Sequence, residues 1–378
     1  MTTPPRARRA SPRTVMLPTH GRRHNLSLAL QVLYTSGPMS RADLARRLGI
    51  SKVTVSDLVA EVIESGHAVE LGPSEQVRPG KPATLVDVNR TGLQAIGVDL
   101  AAHEVLRAAV LDLDGNILVR AERRIADETG EDTGEAIVAI VLELVQEMVA
   151  AATAPILGIG VGTPGIIVAG GVVDTAPNLG WRDVPLRDLI ADATGLPVFV
   201  VNDADAAVHA DYTLGDGGDD VVLVKIGRGV GCGLIVGGQR VRGAHFAAGE
   251  IGHVTVGTDG GAVCRCGKTG CLETWVSAPR LEQALAASGD DAPLREAGER
   301  LGIALAPVVA VLDLAEVVLS GPGHLLDGPL RDSVEQTLHD RLLARPEAEL
   351  TVRIAHDSDD IVLRGAAVLV LWDQLGVA

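Results

Sequence analysis

One pattern in this 378-residue chain occurs twice, and it limits the possible folds more than any other feature. Apolar runs at 96–100, 105–111 and 117–125 read as a meander of three strands. An amphipathic helix over 133–152 and buried strands at 156–161 and 198–201 follow. Near residue 221 the theme restarts: strands at 221–226, 232–236 and 240–242, then helices over 292–312, 329–343 and 361–375 alternating with strands at 317–319 and 351–354. A strand trio that starts twice, each time followed by alternating helix and strand, predicts a duplicated α/β fold with a cleft between its halves. Aromatic residues make up only 2% of the chain, so its core has to be built from Val, Leu, Ile and Ala. The uncharged stretch 151–173 contains eight Gly and Pro residues. It reads as strand and loops rather than a membrane span.

The first ninety residues differ from the rest. The whole chain has a net charge of −16, which on its own would argue against nucleic acid as a partner. Residues 1–90, however, hold 13 Lys+Arg against 7 Asp+Glu, and the remainder 20 against 42. A basic head on an acidic body points to two tasks. Residues 1–20, rich in Pro and Arg, read as a flexible basic arm. In 21–90 a helix over 25–36 stops at Gly37-Pro38. Ser40 can cap a second helix that ends at Gly49, and Ser51 a third that runs to Gly66. Two strands, 68–71 and 84–88, then flank a tip with Arg78 and Lys81. This order describes a winged helix-turn-helix. Its recognition helix would offer Ser51, Lys52, Thr54 and Ser56 to phosphates and base edges, with Arg41, Arg46 and Arg47 toward the backbone and Arg78 and Lys81 toward a minor groove. The alternative is a three-helix protein-interaction module.

His253 followed by Cys264, Cys266 and Cys271 has the composition of a closed, four-ligand Zn²⁺ site, which is structural because no position is left for a catalytic water. Cys232 stands apart as a core residue. Thiols at metal spacing, with no apolar leader at the N-terminus, predict a cytoplasmic protein. Around the cysteines, polar groups gather in sequence: Glu250 before His253, Glu273 after Cys271, Asn202-Asp203 at a strand end, and Asn178 on a loop. Carboxylates and amides that converge in a cleft suit a ligand with many hydroxyls. Gly158–Gly165 and Gly227–Gly233 read as glycine-rich turns after strands, able to cradle phosphate.

These stretches together, with Gly249-Glu250-Ile-Gly252-His253 and Leu363-Arg-Gly-Ala-Ala367, resemble the ROK family of repressors and sugar kinases over 91–378. The resemblance implies a two-lobed actin-like fold of the ribonuclease H-like ATPase and sugar-kinase type, sugar contacts from Asn178, Asn202, Asp203, Glu250, His253 and Glu273, and zinc on the His/Cys cluster. It places Asp203 where kinases of the family carry the base. The kinases' Asp-x-Gly-Gly-Thr loop is here Asp99-Leu-Ala-Ala-His103. Arg228 replaces a Thr, and Gly321-Pro322 a Gly-Gly turn. ATP is therefore not expected as a cofactor. The implied protein is a sugar-responsive regulator, a repressor of carbohydrate genes, that meets operator DNA as a homodimer or homotetramer. A sugar kinase that retains DNA binding is the alternative.

Overall fold

The computed structural model describes residues 20–73, 83–101, 105–125, 134–256, 261–343 and 350–376. Helix α1 (His20–Ser36) leads through strand β1 (Met39–Ser40) into α2 (Arg41–Leu48) and α3 (Lys52–Glu64). Both expected caps form. Ser40 Oγ accepts the Asp43 N–H at 3.1 Å and Ser51 Oγ the Thr54 N–H at 3.1 Å, each satisfying a donor that the helix cannot. Gly49 ends α2 in the left-handed region, at φ 67°, and so lets the chain reverse into α3. Strands β2 (Ala68–Pro73) and β3 (Thr84–Val88) complete a small sheet of order β1-β3-β2, the wing beside a helix-turn-helix. The wing tip with Arg78 and Lys81 lies outside the described residues, as does the basic arm up to residue 19.

The body repeats itself as the strand pattern predicts. In the first lobe β4 (Gln94–Asp99), β5 (Val105–Asp112) and β6 (Ile117–Arg124) form the meander. After α4 (Gly134–Ala151) comes β7 (Ile156–Thr163). A small antiparallel sheet of β8 (Ile166–Val168), β9 (Val172–Ala176) and β10 (Trp181–Val184) then leads to α5 (Leu186–Thr194), β11 (Val198–Asn202) and α6 (Asp203–Leu214). The second lobe has its own meander of β12 (Val221–Ile226), β13 (Val230–Val236) and β14 (Gln239–Arg240). Helices α7 (Glu273–Val276), α8 (Ala278–Ser288) and α9 (Ala292–Leu312) precede β15 (Glu316–Ser320). Then α10 (Gly323–Leu326), α11 (Pro329–Arg341), β16 (Thr351–Ile354) and α12 (Ile361–Gln374) close the chain. The sheet orders are β11-β7-β4-β5-β6 and, read in the same sense, β16-β15-β12-β13-β14. Each starts its meander at the centre and adds two parallel strands on the other side.

Helices α6 and α12 lie between the two sheets, α12 against β4 and β7, α6 against β12 and β13. Their position corrects the reading of 158–165 as a turn. The chain stays extended through Thr163, and its glycines seat a helix instead: a Cβ at Gly160 would stand 1.8 Å from the Ala366 carbonyl oxygen of α12. Only Gly165, at φ 95°, turns.

The head is welded to the first lobe. Leu30, Leu33, Val59 and Val88 share one buried cluster with Leu111, Leu113, Leu371 and Leu375. Tyr34 Oη donates to the Leu113 carbonyl at 2.7 Å, and Arg90 reaches the Tyr34 carbonyl at 2.7 Å, Asp114 at 2.6 Å and Asp87 at 3.2 Å. Among the described residues no helix is long and apolar enough to cross a membrane.

One buried group between the sheets predicts a pH dependence. His209 of α6 is 1% exposed, packs edge-on against Trp372, and has no hydrogen-bond partner for either ring nitrogen among the described residues. Burial, then the nearby charges of Arg240 and Arg242, push its pKa down to about 3. Between that value and the ordinary 6.5, the unfolded chain binds the proton that the folded one refuses, so stability is lost as pH falls through this window. Asp205, one turn earlier and paired with Arg240 at 2.9 Å, works in the opposite sense. Burial raises it to about 6, so the folded state gains on acidification from there to 3.8. The His209 shift is the larger. Thermal melts from pH 7 to 4.5 should therefore show falling Tm in the wild type, and in His209→Leu, where Asp205 acts unopposed, the loss of that fall or a rise; parallel profiles would refute the assignment.

Candidate functional site

On α3 the exposed residues at the N-terminal end are Lys52, Val53, Thr54, Ser56 and Asp57, while Val55, Leu58, Val59 and Val62 face inward. Ser51 is committed to capping, and its Oγ lies 2.8 Å from Thr54 Oγ1; Ser56 donates to the Lys52 carbonyl. Val53, 72% exposed, escaped the sequence reading, which looked only for polar groups. An apolar side chain here suits a thymine methyl. The arginines of α2 are all engaged: Arg41 pairs with Glu70 of the wing at 2.8 Å, Arg46 with Asp43 at 2.8 Å, and Arg47 with Ser36. As partly exposed pairs they hold weakly, and phosphates can compete for them.

In the body, β11 ends at Asn202 and α6 begins at Asp203. Asn202 caps α6, its Oδ1 accepting the Ala204 N–H at 2.8 Å, while its Nδ2 donates to the Gly165 carbonyl at 3.0 Å. This cap aims the following carboxylate into the space between the lobes. Asp203 Oδ2 meets Lys225 Nζ of β12 at 2.9 Å, an ion pair from one lobe to the other. Asp99, at the end of β4 and 4% exposed, is the second carboxylate acting on Lys225. Burial alone would lower the Lys225 ammonium, but Asp203 and Asp99 outweigh it and hold its pKa above the usual value. Burial pushes Asp99 up in turn, against the pull of Lys225 and of the Ala101 N–H, which donates to it at 2.8 Å. Sequence reasoning missed Lys225. The signal was present: a lone Lys in the apolar run 221–226 has to find a counter-charge.

Glu250 follows the second glycine-rich loop, and the sequence-predicted group gathers around it. Burial raises its pKa, His253 lowers it, and Asp203 and Glu273 raise it further, so these four side chains lie within electrostatic reach of one another. His253 Nε2 stands 3.9 Å from Glu250 Oε2. Glu273 Oε2 accepts the Val230 N–H at 3.2 Å, fastening the loop before β13 to the start of α7. Asn178 sits on a single 3₁₀ turn, Pro177–Leu179, between β9 and β10, and its Oδ1 accepts from Arg265 Nη1 at 2.7 Å. A small sheet that periodicity did not reveal thus presents Asn178.

The other ring nitrogen of His253 belongs to a different cluster. Nδ1 lies 3.5 Å from Cys264 Sγ, Cys266 Sγ lies 3.6 Å from Cys271 Sγ, and the four donor atoms fall within 4.8 Å of one another. With metal–sulfur bonds of about 2.3 Å, a tetrahedral ion sets its sulfurs about 3.8 Å apart, so this donor set fits a four-coordinate metal. His253 can therefore serve both sites, Nδ1 to the metal and Nε2 to the cleft. Cys232 lies apart, buried, with burial pushing its thiol to about 12.

Two lobes of duplicated topology that close over carboxylates define an actin-like fold of the sugar-kinase type, here carrying a winged helix-turn-helix. Residues 95–372 match the ROK family, and the chain belongs to it. It is 27% identical over 389 residues to the xylose repressor of Caldicellulosiruptor bescii, covering 93% of this chain and 96% of that one. A further relative, from Caldicellulosiruptor sp. strain Rt8B.4, is 35% identical over 259 residues, which span 63% of that protein. Among solved structures, a ROK family transcriptional regulator homologous to the Escherichia coli Mlc protein has the same fold, with a TM-score of 0.82 over 95% of this chain and 98% of that one at 24% identity. A ROK family glucokinase from Streptomyces griseus, solved with glucose and AMPPNP, gives 0.62 at 28% identity, over 73% of this chain and 98% of that one.

Proposed function

We propose that the protein is a cytoplasmic, sugar-responsive transcriptional repressor that binds operator DNA through α3 and a neutral sugar between its lobes, and that it is not a kinase. The observation that carries this reading is Lys225 on Asp203. A kinase needs that carboxylate free to take the proton of the attacking hydroxyl. Tied to an ammonium, it is a weaker base, yet it still accepts hydrogen bonds from a sugar. The altered nucleotide positions agree with this. Ala101 and Arg228 stand where kinases of the family carry Gly and Thr, and each side chain hinders close approach of phosphate to the backbone.

In this reading Asp203, Glu250 and Glu273 accept from sugar hydroxyls while Asn178, Asn202 and His253 complete the set. Zn²⁺ on His253, Cys264, Cys266 and Cys271 locks the loop from which Glu273 and His253 project. Lys52, Thr54 and Ser56 contact the operator, with Arg41 on the phosphates and Arg78 and Lys81 toward an adjacent minor groove. Two copies of the chain would meet a two-fold operator. Because the head shares its core with the first lobe, a change in lobe closure re-aims one head relative to the other.

Gel shifts over a panel of sugars test this. A sugar among D-xylose, D-glucose, D-mannose and N-acetylglucosamine should release the wild type from its operator. Asp203→Asn should bind DNA normally and lose that release. Lys52→Ala should weaken DNA binding and lower the salt slope by about 1. No response to any sugar would discard the effector half, and ADP release at ~1–10³ s⁻¹, the ordinary enzyme range, would restore the kinase reading.

A further inference from the structure

We infer that Arg265 is a positioning residue for the ligand cleft: a clasp, held by the metal loop, that reaches the opposite lobe and sets which end of the Asn178 amide a ligand can use. The inference rests on the sugar-site reading for its ligand, but not for its geometry. Arg265 lies between Cys264 and Cys266, so two metal-ligand positions flank its backbone. The same turn is closed by the Cys264 N–H on the Lys268 carbonyl at 2.8 Å and the Gly267 N–H on the Cys264 carbonyl at 2.9 Å. From there the guanidinium crosses to the first lobe and meets Asn178, 87 positions earlier in the chain, at 2.7 Å.

The chemistry fixes the amide. A guanidinium has donors and no acceptor, so only the Asn178 oxygen can face it. With one lone pair of Oδ1 on Arg265, Asn178 offers a ligand its two N–H groups and at most one further acceptor position, so a ligand oxygen that accepts is the favoured partner. Asn202 leans the same way less strongly: its Oδ1 accepts in the α6 cap, while its Nδ2 already donates to the Gly165 carbonyl and keeps one N–H for a ligand. The carboxylates of Asp203, Glu250 and Glu273 supply the complementary acceptors. A hydroxyl, which donates and accepts at once, satisfies both kinds of partner; a carboxylate or phosphate satisfies only the amides. Arg228 of the second glycine loop lies near enough for its charge and that of Arg265 to repel one another. The loop that binds metal thereby also fastens the mouth of the cleft.

Hydrogen exchange on the full-length, metal-loaded protein tests the clasp without any ligand. In Arg265→Ala, exchange across 177–181 should quicken several-fold while metal content by elemental analysis stays at the wild-type level. Arg265→Lys should recover part of the protection. Unchanged exchange in Arg265→Ala would overturn the clasp. Asn178→Asp separates the two halves of the inference, because a carboxylate keeps the Arg265 partner but has no N–H. It should keep slow exchange yet bind D-glucose or D-xylose about tenfold more weakly by calorimetry. Wild-type affinity in Asn178→Asp would overturn the donor role. Wild-type protein that binds neither sugar would instead refute the effector reading above, and exchange alone would then decide the clasp.

Discussion

Replacing Cys266 with Ser is expected to empty the metal site and lower the melting temperature by roughly 3–5 °C, the shift that a few kcal/mol produces in a protein of this size. Cys266 separates metal loss from packing loss because it is exposed. Its sulfur lies 3.6 Å from Cys271 Sγ, so a Ser there leaves no cavity and removes little but a ligand. By contrast Cys271 is fully buried, and truncating it would confound the two effects. The remaining three donors no longer close a tetrahedron. Loop 261–271 has few internal bonds to replace the metal: two isolated bridges, Thr255 to Cys271 and Val263 to Thr269, and the short turn around Arg265. Neither the buried cluster that joins the head to the first lobe nor the first lobe's own core includes a residue of the metal loop, so DNA binding should survive while the ligand cleft loosens. Elemental analysis and calorimetry, with and without added zinc, check this. Wild-type protein that carries no metal, or a Cys266→Ser variant that melts with the wild type, would refute it.

The duplicated strand pattern was legible because each meander is apolar, regularly spaced and bounded by turns. The outer α/β elements fall within a few residues of their expected ends for the same reason. The caps of the head were legible residue by residue, since Ser40 and Ser51 act locally. Three kinds of feature were not legible. Helix α6 (Asp203–Leu214) carries three Asp and a His, has little amphipathic pattern, and is nonetheless buried on nearly every side; an element pressed between two sheets has no solvent face to write a period. The strands of the β8–β10 sheet are three to five residues long, too short for periodicity to speak. The third kind is long-range pairing. Asp203 and Glu250 announce themselves by local motif, but Lys225 and Arg265 gain meaning only from partners on the other lobe.

These cross-lobe pairs bear on how one fold serves both kinases and repressors. Under the proposed sugar site, the hydroxyl-binding carboxylates of the two functions would make the same demands. What would distinguish them in that reading is the pairing of Asp203 with Lys225. A fixed Lys225 supplies charge that stays in place. It costs the base its reactivity and leaves its hydrogen-bonding oxygen available.

The second large effect concerns the crossing of α6 and α12. Gly365→Ala should destabilise the fold by about 2–4 kcal/mol, at the upper end of overpacking changes and above them if the helices cannot part. In an open helix the same change stabilises by up to about 1 kcal/mol, because Ala has the better helix propensity. Here the added Cβ would stand 1.7 Å from the Ala206 carbonyl oxygen and 2.4 Å from its carbon, both backbone atoms that no rotamer can withdraw. The helices would have to separate by more than an ångström. Yet α12 is pinned on its other side by β7, where Ala366 leaves no room above Gly160. The displacement therefore falls on α6, whose first residue is Asp203, and on the buried cluster that joins α12 to the head. Gly323 in α10 is the control, with nothing within 4 Å of an added Cβ and no strained backbone, so Gly323→Ala should be neutral or slightly stabilising. Urea denaturation of both variants measures the contrast. If Gly365→Ala unfolds at or above the wild-type midpoint, then the close crossing of α6 on α12 is not what holds Asp203 and the head to one frame.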